Sequence, residues 1–180
     1  MMMDYFKKMA GTTKSPPAVN LSEILWSWIG AFLGIASVAL INFKLLGDTD
    51  LVMVIGSFGA SAVLIYGAIK SPLAQPRNLI GGHVISAIIG VTTYKILSPH
   101  MWLAASVSVA TAIALMHATK TLHPPGGATA LIAVIGSQKI HDLGYLYVLI
   151  PAGLGAVIML LIALLVNNIP KNRRYPEYWI

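Results

Sequence analysis

"KTLHPPGGATALIAVIG", Lys120 to Gly136, sets two prolines and two glycines in front of an apolar run about half as long as a membrane crossing needs. Pro124 and Pro125 carry no backbone N–H, and each pushes the residue before it out of helical conformation, so a helix cannot run through them. Gly126 and Gly127 leave the backbone bare, which lets a ligand come close to the amides that follow. A helix beginning at about Gly127 presents unsatisfied N–H groups and the positive end of its dipole, an arrangement suited to an anion. His123 and Lys120 add donors of the same sign. Irregular backbone at membrane depth is tolerated only where it is buried in protein or lines a water-filled cavity, so this stretch is expected on a solute pathway or at its mouth. The plain alternative is an ordinary loop leading into a helix with proline in its first turn.

The chain around this stretch is apolar. It has 180 residues, 57% of them hydrophobic and only 10% charged, with a mean hydropathy of +0.77. A soluble domain carries roughly 25% charged residues, so an integral membrane protein is expected, with no length left over for a separate soluble domain. Cysteine is absent, which excludes disulfides, thiolate metal sites and a cysteine nucleophile. The net charge of +6 is scattered over short loops and termini instead of forming one stripe, so nucleic acid is not an expected partner.

Apolar segments fall at about 22–46, 51–69, 79–98, 100–118, 127–137 and 145–168. If all six cross, one side of the membrane holds nine basic residues: Lys7, Lys8, Lys14, Lys70, Arg77, Lys120, Lys171, Arg173 and Arg174. The other side keeps three, Lys44, Lys95 and Lys139. Treating the short fifth segment as a non-crossing hairpin weakens the bias to seven against five, so six crossings with both ends cytoplasmic are expected. The expected fold is an all-α polytopic bundle with Pro/Gly-broken helices: a tail at 1–20, a membrane domain at 21–169 and a second tail at 170–180.

"GASAVL" at Gly59–Leu64 matches "GATALI" at Gly127–Ile132, 68 residues further on. Each lies in the second segment of a three-segment half, 22–98 or 100–168, and two halves with an odd number of crossings point in opposite directions. Chance recurrence of small residues in membrane helices is the other reading. If the repeat holds, Ser61 and Thr129 are equivalent and donate to a ligand from both halves.

A second interruption, "KSPLAQPRNLIGGHVIS" from Lys70 to Ser86, again places prolines before a glycine pair and carries Gln75, Arg77, Asn78 and His83. In the six-crossing layout it shares a face with the first, so Arg77 and Lys120 would build one basic vestibule that recruits anions; both could equally be plain orientation signals. His83 lies one turn into an apolar helix, where an ionisable side chain faces either a pathway or a hydrogen-bonding partner on another helix. His100, His117 and His141 read as surface or interface positions. Trp26, Trp28, Trp102, Tyr145, Tyr147, Tyr175, Tyr178 and Trp179 read as interface anchors. Gly30 and Gly34 are expected to admit a close helix neighbour.

The histidines have no zinc spacing, and the acidic residues Asp4, Asp48, Asp50 and Asp142 sit at ends or loops. No carboxylate is expected inside an apolar segment, so neither a metal, a cofactor nor an enzymatic nucleophile–base–carboxylate set is expected.

Together, "TLHPPGGATALIAV", "FGASAVLIYG" and "SPLAQPRNLIGGH" resemble the HPP family of integral membrane proteins, over roughly residues 22–168. Descriptions of that family usually count four membrane helices, against the six expected from the charge distribution. Resemblance to cyanobacterial and chloroplast-envelope members implies transport, with nitrite the associated substrate. The absence of a long Arg- and Ser-rich leader points to a bacterial plasma membrane.

The expectation is thus a carrier or channel for nitrite or a similar small monovalent anion. Its site comprises helix N-termini at Gly59 and Gly127 and the His123-Pro124-Pro125-Gly126-Gly127 loop, with Arg77, Asn78, Gln75, Lys120, Ser61 and Thr129 as donors. In a proton-linked carrier His83 or His123 would carry the proton. The alternatives are a membrane-embedded structural or sensory module that moves nothing, and a permease for a neutral small solute. Membrane lipid and further copies of the chain are the other expected partners.

Overall fold

The computed structural model describes residues 7–47, 49 and 51–180. Asp4, Asp48 and Asp50 lie outside the described residues. Regular structure among the described residues is helical throughout: α1 (Leu21–Leu45), α2 (Ser57–Gly67), α3 (Pro76–Leu97), α4 (Met101–Ala118), α5 (Pro124–Ile135), α6 (Gln138–Leu143) and α7 (Val148–Asn167).

Among the described residues, three helical runs are long and apolar enough to cross a membrane: Leu21–Leu45, Pro76–Ala118 and Val148–Asn167. The middle run is folded in two. A tight turn at Ser98–His100, carrying Pro99, separates α3 from α4, and the two arms pack along one another. The α5 helix has 12 residues, a rise of about 18 Å against a hydrocarbon core of about 30 Å. The α2 helix is similarly short, because residues 51–55 are not helical, in contrast to the continuous segment expected over 51–69. Asn42 holds that irregular stretch by accepting hydrogen bonds from the Met53 and Val54 amides at 2.8 and 3.3 Å.

Helix starts follow local chemistry. Asn20 caps α1, its side-chain oxygen accepting from the Glu23 amide at 2.9 Å. Glu23 itself sits in the first turn of α1, a carboxylate inside an apolar segment where none was expected. Pro76 opens α3 and Pro124 and Pro125 open α5, each after an extended residue, Gln75 or His123. Proline is well placed there, since its missing N–H would have no intrahelical partner and its φ is already helical. Consequently α5 begins at Pro124, three residues before Gly127, and α2 begins at Ser57, two before Gly59.

The α5 helix packs mainly against α3 and α4, while α1 packs against α7 and the end of α2. Two small-residue faces admit aromatic rings, as expected for the first: Tyr66 lies over Gly30 and Gly34, and Phe58 lies over Gly155. The Tyr66 hydroxyl then donates to the Met159 carbonyl at 2.9 Å, joining α2 to α7. Tyr147, expected at an interface, is instead fully buried and donates to the Thr129 carbonyl at 3.1 Å.

The tail after α7 folds back over the 66–75 segment. Arg173 Nη2 donates to the Tyr66 carbonyl at 2.6 Å, and its Nε lies 3.4 Å from Glu23 Oε2. The Tyr175 hydroxyl donates to the Ala74 carbonyl at 2.7 Å, the Glu177 amide to Gln75 Oε1 at 2.9 Å, and the Tyr178 hydroxyl to the Pro72 carbonyl at 3.1 Å. Arg173 and Tyr175 are therefore buried parts of the fold, not the free orientation signal and interface anchor expected from the sequence.

Candidate functional site: a buried imidazole pair

The two polar interruptions meet. His83, in the second turn of α3, and His123, just before α5, are both fully buried, with ring centroids 5.2 Å apart. Glycine makes the approach possible. A Cβ on Gly82 would lie 2.5 Å from His123 Cβ, and one on Gly126 would lie 2.7 Å from Ser86 Oγ and 2.9 Å from the Gly82 carbonyl oxygen.

Ser61, on α2, bridges the rings: its Oγ lies 2.7 Å from His83 Nε2 and 2.9 Å from His123 Nε2. On the far side of each ring, His123 Nδ1 is 2.8 Å from the Leu73 carbonyl and His83 Nδ1 is 2.7 Å from Thr129 Oγ1. Thr129 Oγ1 in turn lies 2.9 Å from Ser57 Oγ. The Leu73 carbonyl can only accept, so His123 donates from Nδ1. With both rings neutral, His123 Nε2 then accepts from Ser61 and Ser61 accepts from His83 Nε2–H, which leaves His83 Nδ1 an acceptor facing Thr129 Oγ1, whose one proton also has Ser57 Oγ and, at 3.2 Å, the Pro125 carbonyl in reach. The Leu73 carbonyl thus sets the tautomer of His123 and, through the single Ser61 proton, that of His83.

The remaining residues expected at the site divide into three groups. Gln75 and Asn78 are buried and hold backbone: Gln75 Nε2 donates to the Ile69 and Ser71 carbonyls at 3.0 and 2.8 Å, and Asn78 Nδ2 to the Leu122 carbonyl at 2.9 Å. Arg77 lines a separate groove with Thr121 and Trp179. Lys120, in the left-handed region with φ +58, and Gly59 are exposed.

The start of α5 offers fewer amides than an ordinary helix N-terminus. Pro124 and Pro125 have none to offer, and the Gly126 amide donates to the His123 carbonyl at 2.8 Å. Ser57 and the Leu73 carbonyl are the members that the sequence reading did not single out. Ser57 was accessible from spacing alone, since it precedes Ser61 by one helical turn; the Leu73 carbonyl had no sequence signal.

The loop that supplies this carbonyl is the one the tail holds. Burial pulls the Arg173 guanidinium below its ordinary range while Glu23 acts in the opposite sense, and burial pushes the Tyr175 hydroxyl up.

The model of the family described as "HPP, transmembrane region" matches residues 16–176. Two curated relatives, both described as transmembrane proteins of Dictyostelium discoideum, are 45% and 46% identical over 98% and 99% of this chain. The chain spans 58% and 64% of their lengths. No solved structure matches.

Proposed function

The chain belongs to the HPP transmembrane family, and from that premise we propose that it carries a small monovalent anion, nitrite by its resemblance to transporter members, across the membrane together with a proton. The observation that supports this best is the Ser61 hydroxyl bridging two buried imidazoles. Imidazole is the side chain most readily charged near neutral pH, and a second buried ring one hydroxyl away gives the proton somewhere to go.

The proposed step uses only these groups. A proton added at His123 Nε2 turns that atom from acceptor to donor, so Ser61 accepts from both rings and its own proton is freed for a new partner. The cluster gains one positive charge in a setting where an unpaired charge is costly, and an arriving anion offsets it. Loss of anion and proton to the opposite side restores the neutral chain. In this reading six segments cross, with both ends cytoplasmic, and the halves are inverted. Ser61 and Thr129, at matching places in "GASAVL" and "GATALI", bind the two nitrogens of His83 from opposite sides.

Proteoliposomes holding a pH dye test this. Nitrite entry should acidify the lumen faster than in protein-free vesicles, whose background comes from nitrous acid crossing lipid. His123→Ala and His83→Ala should abolish the difference. Nitrite flux without proton movement indicates a channel, and undiminished flux in folded His123→Ala removes the cluster from the pathway.

A second reading has its own support. All four ring nitrogens are within hydrogen-bonding distance of protein groups, as in a polar pin joining α2, α3 and α5 of a structural or sensory module. Absence of any flux from the folded, reconstituted chain favours that reading.

A further inference from the structure

The short turn at Pro72–Ala74 is held from two sides. Its Leu73 carbonyl accepts from His123 Nδ1 at 2.8 Å. The carbonyls on either side of it accept from the C-terminal tail, Ala74 from the Tyr175 hydroxyl at 2.7 Å and Pro72 from the Tyr178 hydroxyl at 3.1 Å. The turn is also braced within itself. Ser71 Oγ accepts from the Leu73 amide at 3.2 Å, the Ser71 carbonyl from the Ala74 amide at 3.0 Å, and Gln75 Nε2 donates back to the Ile69 and Ser71 carbonyls. Such a turn shifts as a unit, so whatever presses the unit down keeps the Leu73 carbonyl on His123.

The tail supplies that pressure. Besides the two tyrosines, the Glu177 amide donates to Gln75 Oε1 at 2.9 Å, and Arg173 ties the start of the tail to the Tyr66 carbonyl and to Glu23. Residues 168–180 have no helix of their own, and Tyr178, Trp179 and Ile180 are exposed. A segment held by a few bonds, with no helical ladder, opens at lower cost than the body of a fold. We propose that the tail is a latch on the imidazole pair: Tyr175 and Tyr178 position the 72–74 turn so that the Leu73 carbonyl stays on His123 Nδ1, and their release opens that end of the pair to water. His83 stays closed when the latch opens, because the groups that meet it besides His123, namely Ser61, Thr129 and Phe58, lie on α2 and α5. The latch holds whether or not a solute is carried. Only its consequence, that it governs exchange of a proton on the pair with water on the tail's side, rests on the transport reading.

Diethyl pyrocarbonate, which acylates accessible neutral imidazole nitrogens, tests this on the reconstituted full chain, with peptide mass spectrometry reading each histidine. In the unaltered chain the exposed His100 should react first, His123 much later and His83 last. The double variant Tyr175→Phe, Tyr178→Phe keeps both rings and removes both donors to the turn. It should speed His123 by at least about fivefold relative to His83, the lower end for two hydrogen bonds lost from the closed state. Nitrogen-15 shifts of the same variant should show His123 released from a single fixed tautomer. The proposal is overturned if His123 reacts as fast as His100 in the unaltered chain, or if the double variant leaves its rate unchanged. It is overturned equally if His83 keeps pace with His123 in either form, since that marks loosening of the whole fold. None of these readings requires flux, so a chain that moves no nitrite still decides the latch.

Discussion

Gly82 and His123 are in contact so close that a methyl group on the glycine would come within 2.5 Å of the histidine Cβ and 3.1 Å of the Thr121 carbonyl oxygen. The first interruption of the sequence is thereby pressed against the second, and both imidazoles are carried into one cluster.

Gly82→Ala should therefore destabilise the protein by about 1–3 kcal/mol, the range for forcing extra volume into a packed site. Gly59→Ala is the control: nothing lies within 4 Å of a Cβ there, and a helical alanine should leave stability equal or higher by up to about 1 kcal/mol. Denaturant unfolding in detergent checks both. Equal effects of the two substitutions would remove the close approach as the reason for the glycine pair.

The hydrogen-bond direction gives a spectroscopic expectation. His123 should carry its proton on Nδ1 and His83 on Nε2, because the Leu73 carbonyl accepts from one end of the chain. Nitrogen-15 chemical shifts of the labelled rings report this directly. The same tautomer on both rings would break the assigned order.

Ser61→Ala removes the hydroxyl shared by both rings and leaves two buried ring nitrogens without their bridge. The expected loss is about 1–2 kcal/mol, toward the lower end if the unfolded chain in the membrane finds other partners. Ser61→Thr keeps the hydroxyl and should retain more of the stability in the same unfolding measurement.

Alkaline pH should release the tail. Tyr175 has its hydroxyl pKa raised by burial, so its contribution is fully present below the ordinary tyrosine value, about 10, and is lost as pH rises above it. Tyr175→Phe removes the donor to the Ala74 carbonyl and should cost about 1 kcal/mol at neutral pH. It should also flatten the alkaline fall. Limited proteolysis near Arg174 follows the release, and an identical alkaline profile in Tyr175→Phe would place the titration elsewhere.

Much of the helical plan is readable from composition and proline placement. Apolar runs at about 22–46, 79–98 and 100–118 correspond within a few residues to α1, α3 and α4, because hydrocarbon imposes helix wherever the backbone must satisfy itself. The prolines at 124 and 125 mark a real break, yet they start α5 and do not hold it off, since a first helical turn has no need of their missing donors. This shift of three residues opens α5 on two residues that have no N–H, so its first amide is that of Gly126, which donates to the His123 carbonyl.

The pairing of positions 83 and 123 rests on distant contacts. Sequence alone determined that this chain is apolar, helical and interrupted at two polar stretches, because those properties follow from residue type and local backbone chemistry. Only the packed structure decided that the interruptions face each other across Gly82, and that Arg173 turns inward to the Tyr66 carbonyl while Arg77 Nε is buried with no hydrogen-bond partner among the described residues. Whether a polar side chain meets a ligand, a lipid or another part of its own chain depends on which distant backbone comes within about 3 Å, and no local pattern encodes that distance.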